Sequence, residues 1–190
     1  MNVNPQSLSP TLWRTCRVLA NPTRLGCLGI VVDNPGVTVE TVAAKLHITE
    51  VNSSLCLRAL QSRGLLSSTR KGRWVFYSPE TDPKVETAKP LLDAVSKALH
   101  AKRFTLDDIE KAVTAYTHPR RIILARLLHS RGPLAVEVLA GTSDISLPAL
   151  HRHLRKLIRR GIVVEADGKY ALRTPRNALA KELLLLVVGP

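Results

Sequence analysis

The densest chemical signal in this 190-residue sequence lies at 147–160, LPALHRHLRKLIRR. Leu147, Leu150, Leu154, Leu157 and Ile158 recur at helical spacing and predict a buried stripe. The rest of the segment carries His151, Arg152, His153, Arg155, Lys156, Arg159 and Arg160, with no acidic residue among them. Five fixed positive charges on the exposed side of one helix suit a row of phosphates. Arg152, in the N-terminal half, is placed to offer its guanidinium fork to a guanine edge. A second basic cluster, Arg70, Lys71 and Arg73 around Gly72, precedes the β-prone run WVFY and reads as the tip of a hairpin. Upstream of it, Asn52, Ser54 and Arg58 have the donors and acceptors that read bases and backbone. Glu50 is acidic there, and an exposed Leu55 needs either a thymine methyl or a covering protein surface. Lys169 is the one basic residue beside a second hairpin tip that also carries Glu165 and Asp167.

Other chemistries find little support. Cys16, Cys27 and Cys56 have no metal-ligand spacing and cannot staple a fold, which suits buried thiols in a reducing compartment. His151 and His153, two apart on a helix, point in different directions and make a poor metal pair. The sequence has no Gly-rich phosphate loop, no nucleophile elbow and no paired carboxylates. Neither enzymatic activity nor a cofactor or metal is therefore expected. Lys plus Arg total 28 against 15 acids, a net +13, and a field that strong points to nucleic acid or an anionic surface. The apolar run 183–188 is six residues, far short of the ~20 that span a bilayer, so no membrane partner is expected. The opening MNVNPQSLSP lacks the basic head and apolar stretch of a leader, which predicts a cytoplasmic protein. With 4% aromatic residues the chain offers few platforms for stacking single-stranded RNA.

The elements that must position these residues occur twice. A shift of 97 residues aligns 22–64 with 119–161 without a gap. Eleven of the 43 positions are identical: Pro22/Pro119, Arg24/Arg121, Val39/Val136, Glu40/Glu137, Ala43/Ala140, Ile48/Ile145, Leu57/Leu154, Arg58/Arg155, Leu60/Leu157, Arg63/Arg160 and Gly64/Gly161. In the first copy, Asn21-Pro22 starts a helix that Asn34-Pro35-Gly36 ends. A short helix over about 39–46 follows, then the turn His47-Ile48 and a helix capped by Thr49 and stopped at Gly64. Leu65-Leu66 and 74–77 frame the hairpin. The second copy predicts helices over 119–129, 135–142 and 147–160, the last capped by Ser146, and a hairpin turned at Asp167-Gly168. Ala43 and Ala140 are small where two helices meet, and Ile48 and Ile145 plug the turn. Arg24 and Arg121 suit packing or a structural bond better than phosphate contact. Outside the copies, 11–19, 91–99 and 176–188 read as helices, as does 106–116 behind a capping box at Thr105–Asp108.

Helix, helix, turn, helix and hairpin is the winged helix-turn-helix plan, so the fold expected is mainly α (α+β), with two tandem winged modules at 1–103 and 104–190. LANPTRLGCLGIV (19–31), the helix-turn-helix from Ala43 to Arg58, GRWVFY (72–77) and LPALHRHLRKLIRRGIV (147–163) resemble the ArsR-type bacterial transcription regulators. The resemblance covers about two-thirds of the chain. It implies a dimeric DNA-binding repressor whose outer helices form the dimer interface. The cysteine pair or carboxylate/His set of metal-sensing members is absent here, and two modules in one chain depart from the usual single one.

These features together predict a sequence-specific regulator of double-stranded DNA in a bacterial or archaeal nucleoid. The expected assembly is a monomeric pseudo-dimer, with a four-module homodimer as the alternative. The rival reading is a tandem winged-helix scaffold that binds protein; Leu55 and the acidic second wing favour it, while the +13 charge opposes it.

Overall fold

A computed structural model describes residues 11–101 and 103–189. The opening segment read as lacking a leader, and Lys102 at the expected module junction, lie outside the described residues. The described chain begins with α1 (Leu12–Leu19), α2 (Pro22–Asp33), β1 (Val37–Thr38), α3 (Val39–Leu46) and α4 (Glu50–Gln61). It continues through β2 (Ser67–Lys71), β3 (Trp74–Ser78), α5 (Ala88–His100) and α6 (Leu106–Thr114). The second copy is α7 (Pro119–Arg131), β4 (Leu134–Ala135), α8 (Val136–Ser143), α9 (Leu147–Arg159), β5 (Val163–Ala166) and β6 (Lys169–Leu172), and α10 (Ala178–Val188) closes the chain. The fold is mainly helical, with two three-stranded sheets, as expected.

Local chemistry explains most of the boundaries. The Asn21 side chain accepts from the Arg24 N–H, with Pro22 in the first turn, where a missing N–H costs nothing. Thr49 accepts from Asn52 N–H at 3.2 Å, and the Thr105–Asp108 capping box closes in both directions. Each such cap is worth about 1 kcal/mol. Pro90 falls in the first turn of α5, which begins two residues earlier at Ala88, where the missing N–H has no intrahelical partner to lose. Ser146 occupies the N-cap position of α9, but its side chain caps nothing, so the expected cap is missing. Leu147 is also not in the stripe: at the first helical position, equivalent to Glu50, it points to solvent.

The two sheets repeat one topology, β1-β3-β2 and β4-β6-β5. The two-residue strands β1 and β4 were not foreseen, being too short to show alternation. Val37 pairs with Tyr77, and Leu134 with Tyr170, which buries both tyrosines against their helices. In the second wing Asp167 and Gly168 both have positive φ, the backbone that a two-residue hairpin turn needs.

The core is continuous through both copies. Helix α1 packs on its repeat equivalent α6, and α5 packs on α10. Leu91, Leu92, Val95 and Ala98 of α5 are buried, as are Leu179, Leu183 and Val187 of α10. Burying each large aliphatic side chain contributes about 1.5–3 kcal/mol. The Lys97–Glu182 pair across α5 and α10 is 4.0 Å apart and exposed, so it adds little.

Gly64 and Gly161 end the matched helices α4 and α9 with φ of +70° and +69°. An added Cβ at Gly64 would sit 3.0 Å from Asp82 Cβ and Val85 Cγ2, whereas Gly161 faces open space. Gly161→Ala is expected to cost about 1–2 kcal/mol from the left-handed backbone alone. Gly64→Ala should cost clearly more, and urea unfolding of the two variants tests the order.

Candidate nucleic-acid interface

Helix α9 carries the most concentrated charge. Alternation of buried Leu150, Leu154 and Leu157 with exposed His151, Arg152, Arg155 and Arg159 divides it into an apolar and a basic face. Three arginines one turn apart, with a histidine beside them, form a line to which no acid of the helix contributes. Two expected members turn elsewhere. Lys156 and Arg160 are half-buried on the flank facing α6, and Arg160 Nε donates to Thr114 Oγ1 at 2.9 Å. Burial lowers the pKa of Lys156, and the nearby Arg160, Arg121 and Arg159 lower it further.

His153 turns away from the basic face that its neighbours form. It is 4% exposed, its ring lies against His118 with centroids 4.4 Å apart and the planes tilted by 42°, and it does not belong to the basic face. Burial, then His118 and the surrounding arginines, push its pKa down to about 4, and His118 is lowered for similar reasons. His118 Nδ1 accepts from the Arg120 N–H and thereby caps α7. A neutral ring is thus part of the joint between α7 and α9. Spacing alone could not show this, because the equivalent position in the first copy is Cys56.

The first copy presents a different surface. On α4, Asn52 and Arg58 are exposed and Ser54 is half-buried. Between them Val51 and Leu55 stand 69% and 60% exposed, one helical turn apart. The Arg58 guanidinium lies beside Tyr77 of β3, where it opposes the upward pull of burial on the phenol's pKa. The first wing is basic and aromatic. Arg73 lies over Trp74 at 4.8 Å, Lys71 over Phe76 at 5.8 Å, and Arg70 Nε donates to the Gly72 carbonyl. All three cations are exposed. On the second wing Lys169 is exposed, opposite Ala166 across the turn.

Arg24 and Arg121 have the structural role. Arg24 Nε donates to the Val18 carbonyl at the end of α1, and Arg121 Nε to the equivalent Ala115 carbonyl at 2.7 Å. Cys16 is buried with its pKa pushed up to about 12, mainly by burial. Cys27 is also pushed up to about 12, by burial and by the Cys56 thiol beside it on α4. Such thiols are poor nucleophiles. Among the described residues no group of three His, Cys, Asp or Glu could hold a metal ion. No helix among them is long and apolar enough to cross a membrane.

The sequence matches no family model. No curated protein matches it either. Among solved structures it is similar to reduced HlyU from Vibrio cholerae N16961, at 24% identity over 40% of this chain and 78% of that one, with a TM-score of 0.33. The winged-helix assignment therefore rests on the element order and strand register, not on that likeness.

Because His153 has a folded pKa near 4 against 6.5 when unfolded, the unfolded chain takes up a proton between those values that the folded chain refuses. Stability contributed this way is present above pH 6.5 and is lost as pH falls toward 4, by about 2 kcal/mol between pH 7 and 5. His153→Cys, which installs the residue of the first copy, should flatten that part of the pH profile in urea unfolding. An unchanged slope would show that His153 is not the titrating group.

Proposed function

We propose that this chain is a sequence-specific regulator of double-stranded DNA, ArsR-like, with one winged module in 1–103 and another in 104–190. The observation that carries the reading is the exposed line His151, Arg152, Arg155 and Arg159 on α9, the helix that follows the turn of the second helix-turn-helix. A helix in that position enters the major groove, and arginines in its N-terminal half reach bases while later ones meet phosphate. Lys156, on the flank of that face, and Lys169, on the second wing, add backbone contacts. Asn52, Ser54 and Arg58 form the weaker reader of the first module, and Arg70, Lys71 and Arg73 hold the sugar-phosphate backbone from its wing.

The pairing of α1 with α6 and α5 with α10 supports an intramolecular pseudo-dimer, in which one chain supplies both reading helices. Because those helices differ, the preferred site is an imperfect palindrome, or one strong half-site with a degenerate neighbour. A second reading is favoured by Val51 and Leu55, whose exposure suits a protein partner for the first module while the second holds DNA.

Binding to duplex DNA should weaken steeply with salt, with a slope of log K on log salt of about −5 or steeper if six or more phosphates are contacted. No retention of duplex at ~50 mM salt would overturn the reading. On a selected site Arg152→Ala should cost about 1–3 kcal/mol and relax specificity, while Arg70→Ala and Lys71→Ala weaken all sequences alike. Light scattering should give a mass near the 20.9 kDa of one chain; a stable species of twice that mass would favour the homodimer.

A further inference from the structure

The two copies also differ at the corner where α1 meets α2 and α4. Trp13, Arg14, Arg17 and Val18 of α1, Arg24 of α2, and Arg63 just beyond α4 line an open cavity of about 370 Å³. Four guanidinium groups thus surround one space. Among the described residues none of the four is ion-paired, and the segment preceding α1, MNVNPQSLSP, contains no carboxylate. Arg14 packs over the Trp13 ring at 5.2 Å. Arg24 is pinned through its Nε to the Val18 carbonyl, and its remaining donors lie on the side of the cavity. The Nε of Arg63 is buried and has no hydrogen-bond partner among the described residues. An unmatched buried guanidinium donor is costly, and like charges gathered without a counter-ion repel one another.

The second copy is an internal control. The shared arginine-to-carbonyl bond, Arg24 to Val18 and Arg121 to Ala115, fixes the register of the two corners. In that register Trp13, Arg14 and Arg17 correspond to Glu110, Lys111 and Thr114, and Arg63 corresponds to Arg160. There Arg160 Nε is satisfied by Thr114 Oγ1, and Arg121 by Thr114 O and Thr117 Oγ1. Glu110 adds a negative charge close enough to act on Lys156. The second corner thus satisfies its arginines with oxygens and adds Glu110, where the first copy has a tryptophan and another arginine.

We infer that the four-arginine corner of the first copy is a binding site for a small multivalent oxyanion, of the phosphate-ester or diphosphate class. Guanidinium groups match phosphoryl oxygens in pairs, the cavity is large enough for such a group, and the Trp13 ring closes one wall. The site lies at the C-terminal end of α4, a helix of 12 residues and so ~18 Å from its N-cap, away from the half that faces nucleic acid. Because α1 also packs on α6 of the second copy, occupancy bears directly on the seam between the copies.

The test uses the full chain carrying Trp74→Phe, which leaves Trp13 as the sole indole. Pyrophosphate is titrated at constant ionic strength while Trp13 emission is followed, with chloride as the control. A saturable change specific to pyrophosphate is expected. Arg63→Gln and Arg17→Thr should each raise the half-saturating concentration by about tenfold or more, and Arg160→Gln in the second copy should leave it unchanged. Arg17 is exposed and the substitution installs the residue of the second copy, so this variant remains informative if Arg63→Gln does not fold. The absence of a saturable change up to ~10 mM pyrophosphate, or an equal response in Arg17→Thr, would overturn the assignment. So would stoichiometric displacement by a DNA duplex, which would make the occupant a backbone phosphate.

Discussion

The structure depends above all on the apolar seam where α1 meets α6 and α5 meets α10. A winged module is small, and its sheet and three helices leave the outer faces of the flanking helices uncovered. Leu91, Val95, Leu183 and Val187 would then be exposed to water, and a patch of that kind demands a partner. Here the partner is on the same chain, which removes most of the translational cost of association. The continuous core that results holds α4 and α9 in one body and makes the second copy part of the stability of the first.

Within that frame the copies have diverged in opposite directions. On α9 the exposed face is His151, Arg152, Arg155 and Arg159; the matching positions in the first copy are Ser54, Leu55, Arg58 and Ser62, so a single arginine is shared. On the wings the bias reverses, with Arg70, Lys71 and Arg73 against Glu165 and Asp167. A surface side chain contributes little to packing, so such positions change freely while Leu57/Leu154 and Leu60/Leu157 stay apolar.

Electrostatics follow the same logic at the corners. One hydrogen bond, from the Nε of the arginine that opens the first helix of each copy, ties the flanking helix to its module. Its charge must then be accommodated, and the copies do so differently. The second surrounds Arg121 and Arg160 with hydroxyl and carbonyl oxygens and lowers the pKa of the histidines beside them. The first adds Arg14 and Arg17 and leaves a concentrated positive field. Local charge density, not total charge, separates the two.

Much of this was legible in the sequence because it is set by neighbours along the chain. The 97-residue repeat, the caps at Asn21, Thr49 and Thr105, the stops at Gly64 and Gly161 and the turn at Asp167-Gly168 each need only a few consecutive residues. The leucine stripe of α9 followed from helical period, except for Leu147, whose place in the first turn lies beyond the packed surface. Tertiary structure decided the rest. His153 reads as one more basic residue until His118, 35 positions earlier, is packed against it. The strands β1 and β4 exist only because β3 and β6 present them with an edge. The four arginines come from α1, α2 and the segment after α4, and no spacing along the chain announces that they meet. Periodicity and capping act over one or two turns and can be read from the residues in order, whereas burial, protonation and clustered charge depend on which distant segments the fold brings together.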